Sequence, residues 1–322
     1  MKAPWLVSAL LVATSFGCEQ AHSKLDTVKG EAPSSAKSPN AAPVAVPADH
    51  SGDVETRLRR LEDNYAKYSE ALDFLGKIYA QQQQQEQAKA EEEHDPDAMF
   101  AVQIKQDIAA GKVDGPASAP VTVIKAFDFA CPYCQRTASI MDDLVKEYAG
   151  KVRVVYMDMV VHPDVATKAH LATCAAAKQQ KYKPYKNAVW EKGFMAYAQS
   201  RDASKLGEEN LIAIAKEAGL DTTKLVADMN GADCQGLIAS DMQELGKFKV
   251  TGTPAFFING KFIGGALPKE GFKQIIDEQL KIAEASGVAG ADYYDKVVLA
   301  KGEKQFKSAV GGAGGGHDGH GH

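Results

Sequence analysis

Two cysteines three positions apart, in FDFACPYCQRT at residues 127–137, are the residues whose spacing most invites chemistry. Such a pair can help to hold a metal, clamp a turn, or exchange disulfides with another protein. Zinc takes about four ligands, commonly two such pairs or a pair with two histidines. Here the chain has five cysteines, and the other three, Cys18, Cys174 and Cys234, stand singly. His162 and His170 lie eight apart in a segment of different character, so no metal is expected at Cys131 and Cys134. A short structural disulfide would leave the surrounding pattern without a purpose.

That pattern consists of the elements needed to present a reactive thiol. VTVIKAF (121–127) is a β-branched apolar run suited to a central strand, and it delivers the chain to Cys131. Pro132 and Tyr133 then open a helix, because proline at the first helical position gives up an amide that would be unbonded anyway. Cys131 therefore sits at the positive end of a helix, where free amides and the macrodipole favour thiolate over thiol. Cys134, one turn in, is shielded and suited to attack a mixed disulfide from behind. The expectation is an exposed, low-pKa Cys131 that exchanges and a buried Cys134 that resolves. Far downstream, Thr253-Pro254 precedes the apolar run AFFI. A cis bond there would bring backbone groups beside Cys131, and an ordinary trans proline at a strand start is the alternative.

FDFACPYC and VTGTPAFFING, in this order around a helical block, resemble the DsbA-like thiol–disulfide oxidoreductases of the thioredoxin superfamily. The resemblance covers roughly residues 98–285, and HPDVATKAHLATCAAAKQQKYKPYKNAVW is similar to the family's first insertion helices. It implies an α/β thioredoxin fold, with a helical insertion at 164–246 between the half that bears the cysteines and the half that bears the cis proline. It also implies Cys131 as nucleophile, Cys134 as resolving residue, and a Thr253-Pro254 loop that binds substrate backbone, with Pro132 and Tyr133 tuning the pair. No cofactor is implied.

Two departures stand out. Members of this family often carry an acid six positions before the first cysteine, and here that residue is Lys125. A buried ammonium would stabilise a thiolate and make the pair a stronger oxidant, whereas a solvent-exposed one would not. Asp128 is a nearby acid that could substitute. Cys174 and Cys234 form the second departure: an oxidising compartment favours a disulfide between them, with two buried free thiols as the alternative.

The rest of the chain carries and delivers this domain. MKAPWLVSALLVATSFG (1–17) reads as a secretory signal, too short to span a membrane. Cys18 after it resembles a lipoprotein cysteine, although Ser15 replaces the usual leucine. Glu19 in the next position fits outer-membrane sorting. Residues 18–52, rich in Ala, Pro and Ser, read as a flexible tether. In 53–95, Val54, Leu58, Leu61, Tyr65, Tyr68, Leu72, Leu75 and Tyr79 recur at steps of three and four. That is a coiled-coil period in a long helix ended by Asp95-Pro96. Either the helix lies on its own domain or it makes a homodimer or homotrimer. Residues 286–322 form an extension with one more short helix and a Gly/His tail whose His317, His320 and His322 could bind a transition metal weakly.

Composition narrows the partners. A net charge of -5 without a dense basic patch argues against nucleic acid. The expected partners are reduced or misfolded exported proteins in a periplasm, with a redox protein that reoxidises or re-reduces the pair. Donation of disulfides is the first reading. The others are an oligomeric isomerase, a reductase or maturation factor for metal proteins, and a non-redox binding or chaperone module.

Overall fold

The computed structural model describes residues 50–310. The signal, Cys18, most of the tether and the three tail histidines lie outside the described residues. The chain falls into two units, Met1–Leu72 and Asp73–His322, and a 39-residue helix, α1 (Val54–Glu92), contributes to both.

In the first unit, the Asp53 carboxylate accepts the Thr56 amide at 2.9 Å, which caps the helix start. No residue of α1 is buried. All eight residues of the apolar seam are more than half exposed, from 52% at Leu58 to 79% at Val54, so the seam is uncovered in the single chain.

The second unit follows α1 with α2 (Lys105–Ala109), β1 (Val113–Asp114), β2 (Val121–Phe127), α3 (Pro132–Glu147) and β3 (Val152–Asp158). A helical block comes next: α4 (Pro163–Lys178), α5 (Tyr182–Ala188), a π turn (Val189–Phe194) leading into α6 (Met195–Ser200), α7 (Glu208–Glu217), α8 (Thr222–Met229) and α9 (Ala232–Lys247). The chain closes with β4 (Ala255–Ile258), β5 (Lys261–Gly264), α10 (Lys269–Ala285) and a last helix, α11 (Gly290–Tyr293), that runs on as a π turn to Leu299. The sheet order is β1-β3-β2-β4-β5, with β2 parallel to β3 and antiparallel to β4. This is a thioredoxin fold with an inserted helical region and a long N-terminal helix.

Every residue of β2 is buried, as a near-continuous apolar run in a central strand requires. Val121, Val123 and Phe127 join the core beneath α3, α10 and the insertion. Ile124 and Ala126 join a second core on the opposite face. Strand alternation puts Lys125 on the first face. At the β4–β5 turn, Asn259 (φ 45°) and Gly260 (φ 88°) are both left-handed, as a two-residue hairpin requires. A Cβ on Gly260 would come within 2.6 Å of Met99 Cγ, so glycine is demanded there twice over.

The second core reaches past the C-terminal end of the 98–285 range expected from sequence. Phe100, Val102, Tyr293, Tyr294 and Val298 cover the second face, and the Tyr294 hydroxyl donates to Val102 O at 2.7 Å. Residues 93–101 and 303–309 are laced together: Ala101 N donates to Glu303 O, Glu303 N to Met99 O, Asp95 N to Lys307 O and Ala309 N to Glu93 O, at 2.7–2.9 Å. A disulfide joins Cys174 on α4 to Cys234 on α9.

Candidate active site

Cys131 is the residue before the first turn of α3, in extended conformation (φ -86°, ψ 119°), with Pro132 next. Its carbonyl accepts the amides of Cys134 at 3.1 Å and Gln135 at 3.2 Å, so the helix begins at the pair itself. Tyr133, between the cysteines, is exposed and carries the Arg136 guanidinium 4.3 Å above its ring. Cys134 is fully buried. Cys131 is only 4% exposed, which corrects the expectation of an open thiol. The reason is the loop before β4, where the Thr253–Pro254 bond is cis and Thr253 O takes the Cys131 thiol at 3.3 Å.

The two thiols are unbridged and very different in acidity. A hydrogen bond from Cys134 is the largest influence on Cys131. Together with Thr253 and the amides of Cys134 and Tyr133, it outweighs burial and lowers the thiol to about 5. The Thr253 hydroxyl is buried without another partner and is available to a thiolate. Cys134 goes the other way: burial, then the neighbouring Cys131, push it well above the ordinary thiol range. The arrangement can hold one sulfur as a nucleophile while keeping the other protonated until it is needed.

Lys125 is buried, not solvent-exposed, and its Nζ donates to Cys134 O at 3.0 Å. Asp128 is also fully buried. Its carboxylate accepts the amides of Ala130 at 2.6 Å, Val161 at 2.7 Å and His162 at 2.9 Å, and its own amide points at Cys134 Sγ at 3.5 Å. With three amides on it, Asp128 holds the loop under the pair, and this occupancy disfavours the stand-in acid role drawn from sequence. His162 and His170 are not placed together as ligands. His162 Nδ1 lies 3.3 Å from Asp128 Oδ1, and His170 Nδ1 lies 2.6 Å from Asp158 Oδ1.

Sequence reasoning missed two buried charged groups. Lys112 meets Asp107 at 2.7 Å, Asp158 at 2.9 Å and Asp241 at 2.6 Å, tying α2, β3 and α9 together. Burial would raise Asp158, but Lys112 and His170 hold it at about 2. Burial carries Asp241 up to about 8 against the pull of Lys112. The other is Lys186 of α5, fully buried beside Tyr156. Neither lysine stands out in sequence, because each is one lysine in a polar stretch and its partners are set by the tertiary fold.

Residues 107–278 match the family model described as Thioredoxin. The chain is 33% identical over 171 residues to a Na(+)/H(+) antiporter, NhaA 3, of Salinispora tropica, a match covering 51% of this chain and 24% of that protein. It is 29% identical over 190 residues to a probable disulfide bond formation protein D of Bacillus cereus, covering 57% of this chain and 82% of that one. Among solved structures, a thioredoxin-like oxidoreductase from Silicibacter pomeroyi DSS-3 is 27% identical, covers 52% of this chain and 91% of its own, and gives a TM-score of 0.44. The chain spans about a quarter of the length of the antiporter relatives it matches.

Proposed function

The chain belongs to the thioredoxin family, and from that premise we propose that it is a thiol–disulfide oxidoreductase that passes disulfides to exported protein substrates through Cys131 and Cys134. The observation that carries this reading is the split in the pair: a thiol lowered to about 5 at the start of α3, with a fully buried thiol one turn behind it. In the oxidised enzyme, a substrate thiolate attacks Cys131 Sγ, the Cys131–Cys134 bond breaks, and Cys134 leaves and takes a proton. A second substrate thiolate then attacks the mixed disulfide, forming the substrate's disulfide and releasing Cys131 as thiolate. Two electrons pass from substrate to enzyme, and a redox partner removes them. A stabilised Cys131 thiolate favours this direction because it stabilises the reduced enzyme. Thr253 O and the residues around Pro254 offer backbone groups beside Cys131 for an extended substrate segment.

A second reading, an oligomeric disulfide isomerase or reductase, is favoured by one observation: the uncovered apolar seam of α1, which would let several copies surround a substrate. A non-redox binding or chaperone module would have no need of both cysteines in this geometry. Oxidation of a reduced peptide, reduction of insulin and refolding of a scrambled substrate, each with wild type and Cys131→Ala, separate the readings. An oxidase leads in the first assay, a reductase in the second and an isomerase in the third. If Cys131→Ala leaves all three unchanged, the redox reading fails.

We also place the protein outside the cytoplasm, with residues 1–17 removed and Cys18 lipidated. The mass of the mature N-terminus, in wild type and Cys18→Ala, tests this: an unmodified cysteine in the wild type rules out the anchor.

A further inference from the structure

Helix α1 ends in a way that its own stability does not explain. Glu91, Glu92, Glu93, Asp95 and Asp97 put five carboxylates into seven residues at and just past its C-terminus. Lys89 is the sole base in the last turn. Acids at this end oppose the macrodipole, which favours cations there. A local rule broken within an element points to a demand from outside it. The acidic run is also fixed in place. His94 within it stacks on Phe262 of β5 at 3.5 Å between centroids and bonds to Phe248 O at 2.6 Å. Glu93 O accepts the Ala309 amide, and the Asp95 amide donates to Lys307 O, both at 2.9 Å.

This fixed end faces the loop beside the cysteine pair. A groove of about 590 Å³ is lined by residues 92–96 and by residues 249–255. Thr253 O, in the second of these segments, takes the Cys131 thiol at 3.3 Å, so the groove begins beside the reacting sulfur. Thr251 and Gly252 are exposed, and among the described residues no backbone carbonyl takes their amides. A Cβ on Gly252 would meet nothing within 4 Å. Neither its φ nor its neighbours demand glycine, and a bare backbone there leaves room for another chain to lie close.

The groove is electrically one-sided. Glu92 has no ion pair among the described residues, Lys89 stands 3.5 Å from Glu93, and Lys307 meets Asp95 at 3.1 Å. Lys249, the cation on the opposite segment, lies over the Phe306 ring, 4.1 Å from its centre. Burial, opposed by the bond to Phe248 O, holds His94 below its ordinary value, so near neutral pH it adds no positive charge.

We propose that the end of α1 is the far wall of the substrate groove, and that Glu92 and Glu93 select exported proteins carrying lysine or arginine to one side of the reacting cysteine. The proposal rests on the redox reading above and names the class of substrate it would serve. A segment extended along residues 251–253 brings its next side chains to this wall. A cation there meets Glu92 and Glu93, which speeds encounter more than it tightens the complex. The exchange at Cys131 is unchanged; the wall decides which thiols reach it. Residues 92 and 93 lie outside the family-matched stretch of 107–278, so the selection belongs to this chain's own extension.

The test follows oxidation of reduced peptides by the oxidised full-length protein in single turnover. The peptides differ only in carrying lysines, serines or glutamates on one side or the other of a cysteine pair. Each rate is divided by that of the same peptide with hydroxyethyl disulfide, which removes the effect of the flanking charges on the peptide thiols themselves. Wild type should oxidise the better lysine peptide about tenfold faster than its glutamate counterpart, and less than about twofold faster in about 0.5 M salt. Glu92→Lys with Glu93→Lys should abolish or invert that preference and leave the serine peptides within about twofold of wild type. Glu70→Lys with Asp73→Lys makes the same change of charge about 30 Å further up the helix, and should keep the preference. A wild type without preference, a preference that survives the reversal at Glu92 and Glu93, or one lost equally in the distant pair overturns the proposal. Should the reversal alter the circular dichroism, Glu92→Gln with Glu93→Gln decides, and a ratio as large as wild type overturns it. If wild type oxidises every peptide alike, the selection fails and the redox reading stands. If it oxidises none faster than Cys131→Ala does, the redox reading has failed, and the proposal with it.

Discussion

At the scale of single residues, Cys131 links reactivity to stability. Its thiol is lowered to about 5 in the folded reduced protein, from an ordinary 9.0, chiefly by the hydrogen bond from Cys134. Between those values the unfolded chain binds the extra proton, so stability from this group rises with pH. It is fully present above about 9 and is lost as pH falls through about 5. Urea unfolding of reduced wild type and Cys131→Ser should therefore show a stability gap that widens from pH 5 to pH 8; a constant gap would mean the thiolate is not stabilised by the fold. The pair, its order and the Thr253-Pro254 loop could be read from sequence because each is a local pattern. The near-complete covering of Cys131 could not, because Thr253 is 122 positions away and only the tertiary fold fixes their contact.

At the scale of elements, strand β2 and the hairpin at Asn259-Gly260 were legible for plain reasons: an unbroken β-branched run and a turn dipeptide with positive φ at both positions. Strand β1, two residues long, shows no periodicity to read. What secures that region is Lys112, just before β1, whose partner Asp241 lies 129 positions away on α9. The same Asp241 carboxylate accepts the amide of Asp158 at 2.8 Å, so one charged cluster fastens α2, the end of β3 and the end of the insertion. Lys112→Met would leave three buried carboxylates without their cation. The expected cost is about 3–5 kcal/mol, seen as a lower urea midpoint with an unchanged m-value. A change below about 1 kcal/mol would mean the carboxylates are satisfied by protonation alone.

At the scale of the whole molecule, α1 is a regular helix whose eight seam residues are all solvent-exposed. Apolar side chains at coiled-coil spacing are normally covered by a second helix, and the expectation is a dimer or trimer formed along this seam. The helix can be removed without harming the domain only if the cut respects His94. That ring stacks on Phe262 at 3.5 Å between centroids and bonds to Phe248 O at 2.6 Å. Deleting residues 53–90 should give a monomer by light scattering and keep single-turnover exchange at Cys131. A full-length monomer would remove the basis for assembly through this helix.

The lacing of residues 93–101 to 303–309 also sets how this domain would bear tension. Any pull delivered along α1 enters the globular part at Glu93, and the first bonds on that line are those from Glu93 to Ala309 and from Asp95 to Lys307. These segments lie outside the family-matched stretch of 107–278. Under such a load these edge bonds would be strained first, ahead of strand β2, which leads the chain to Cys131.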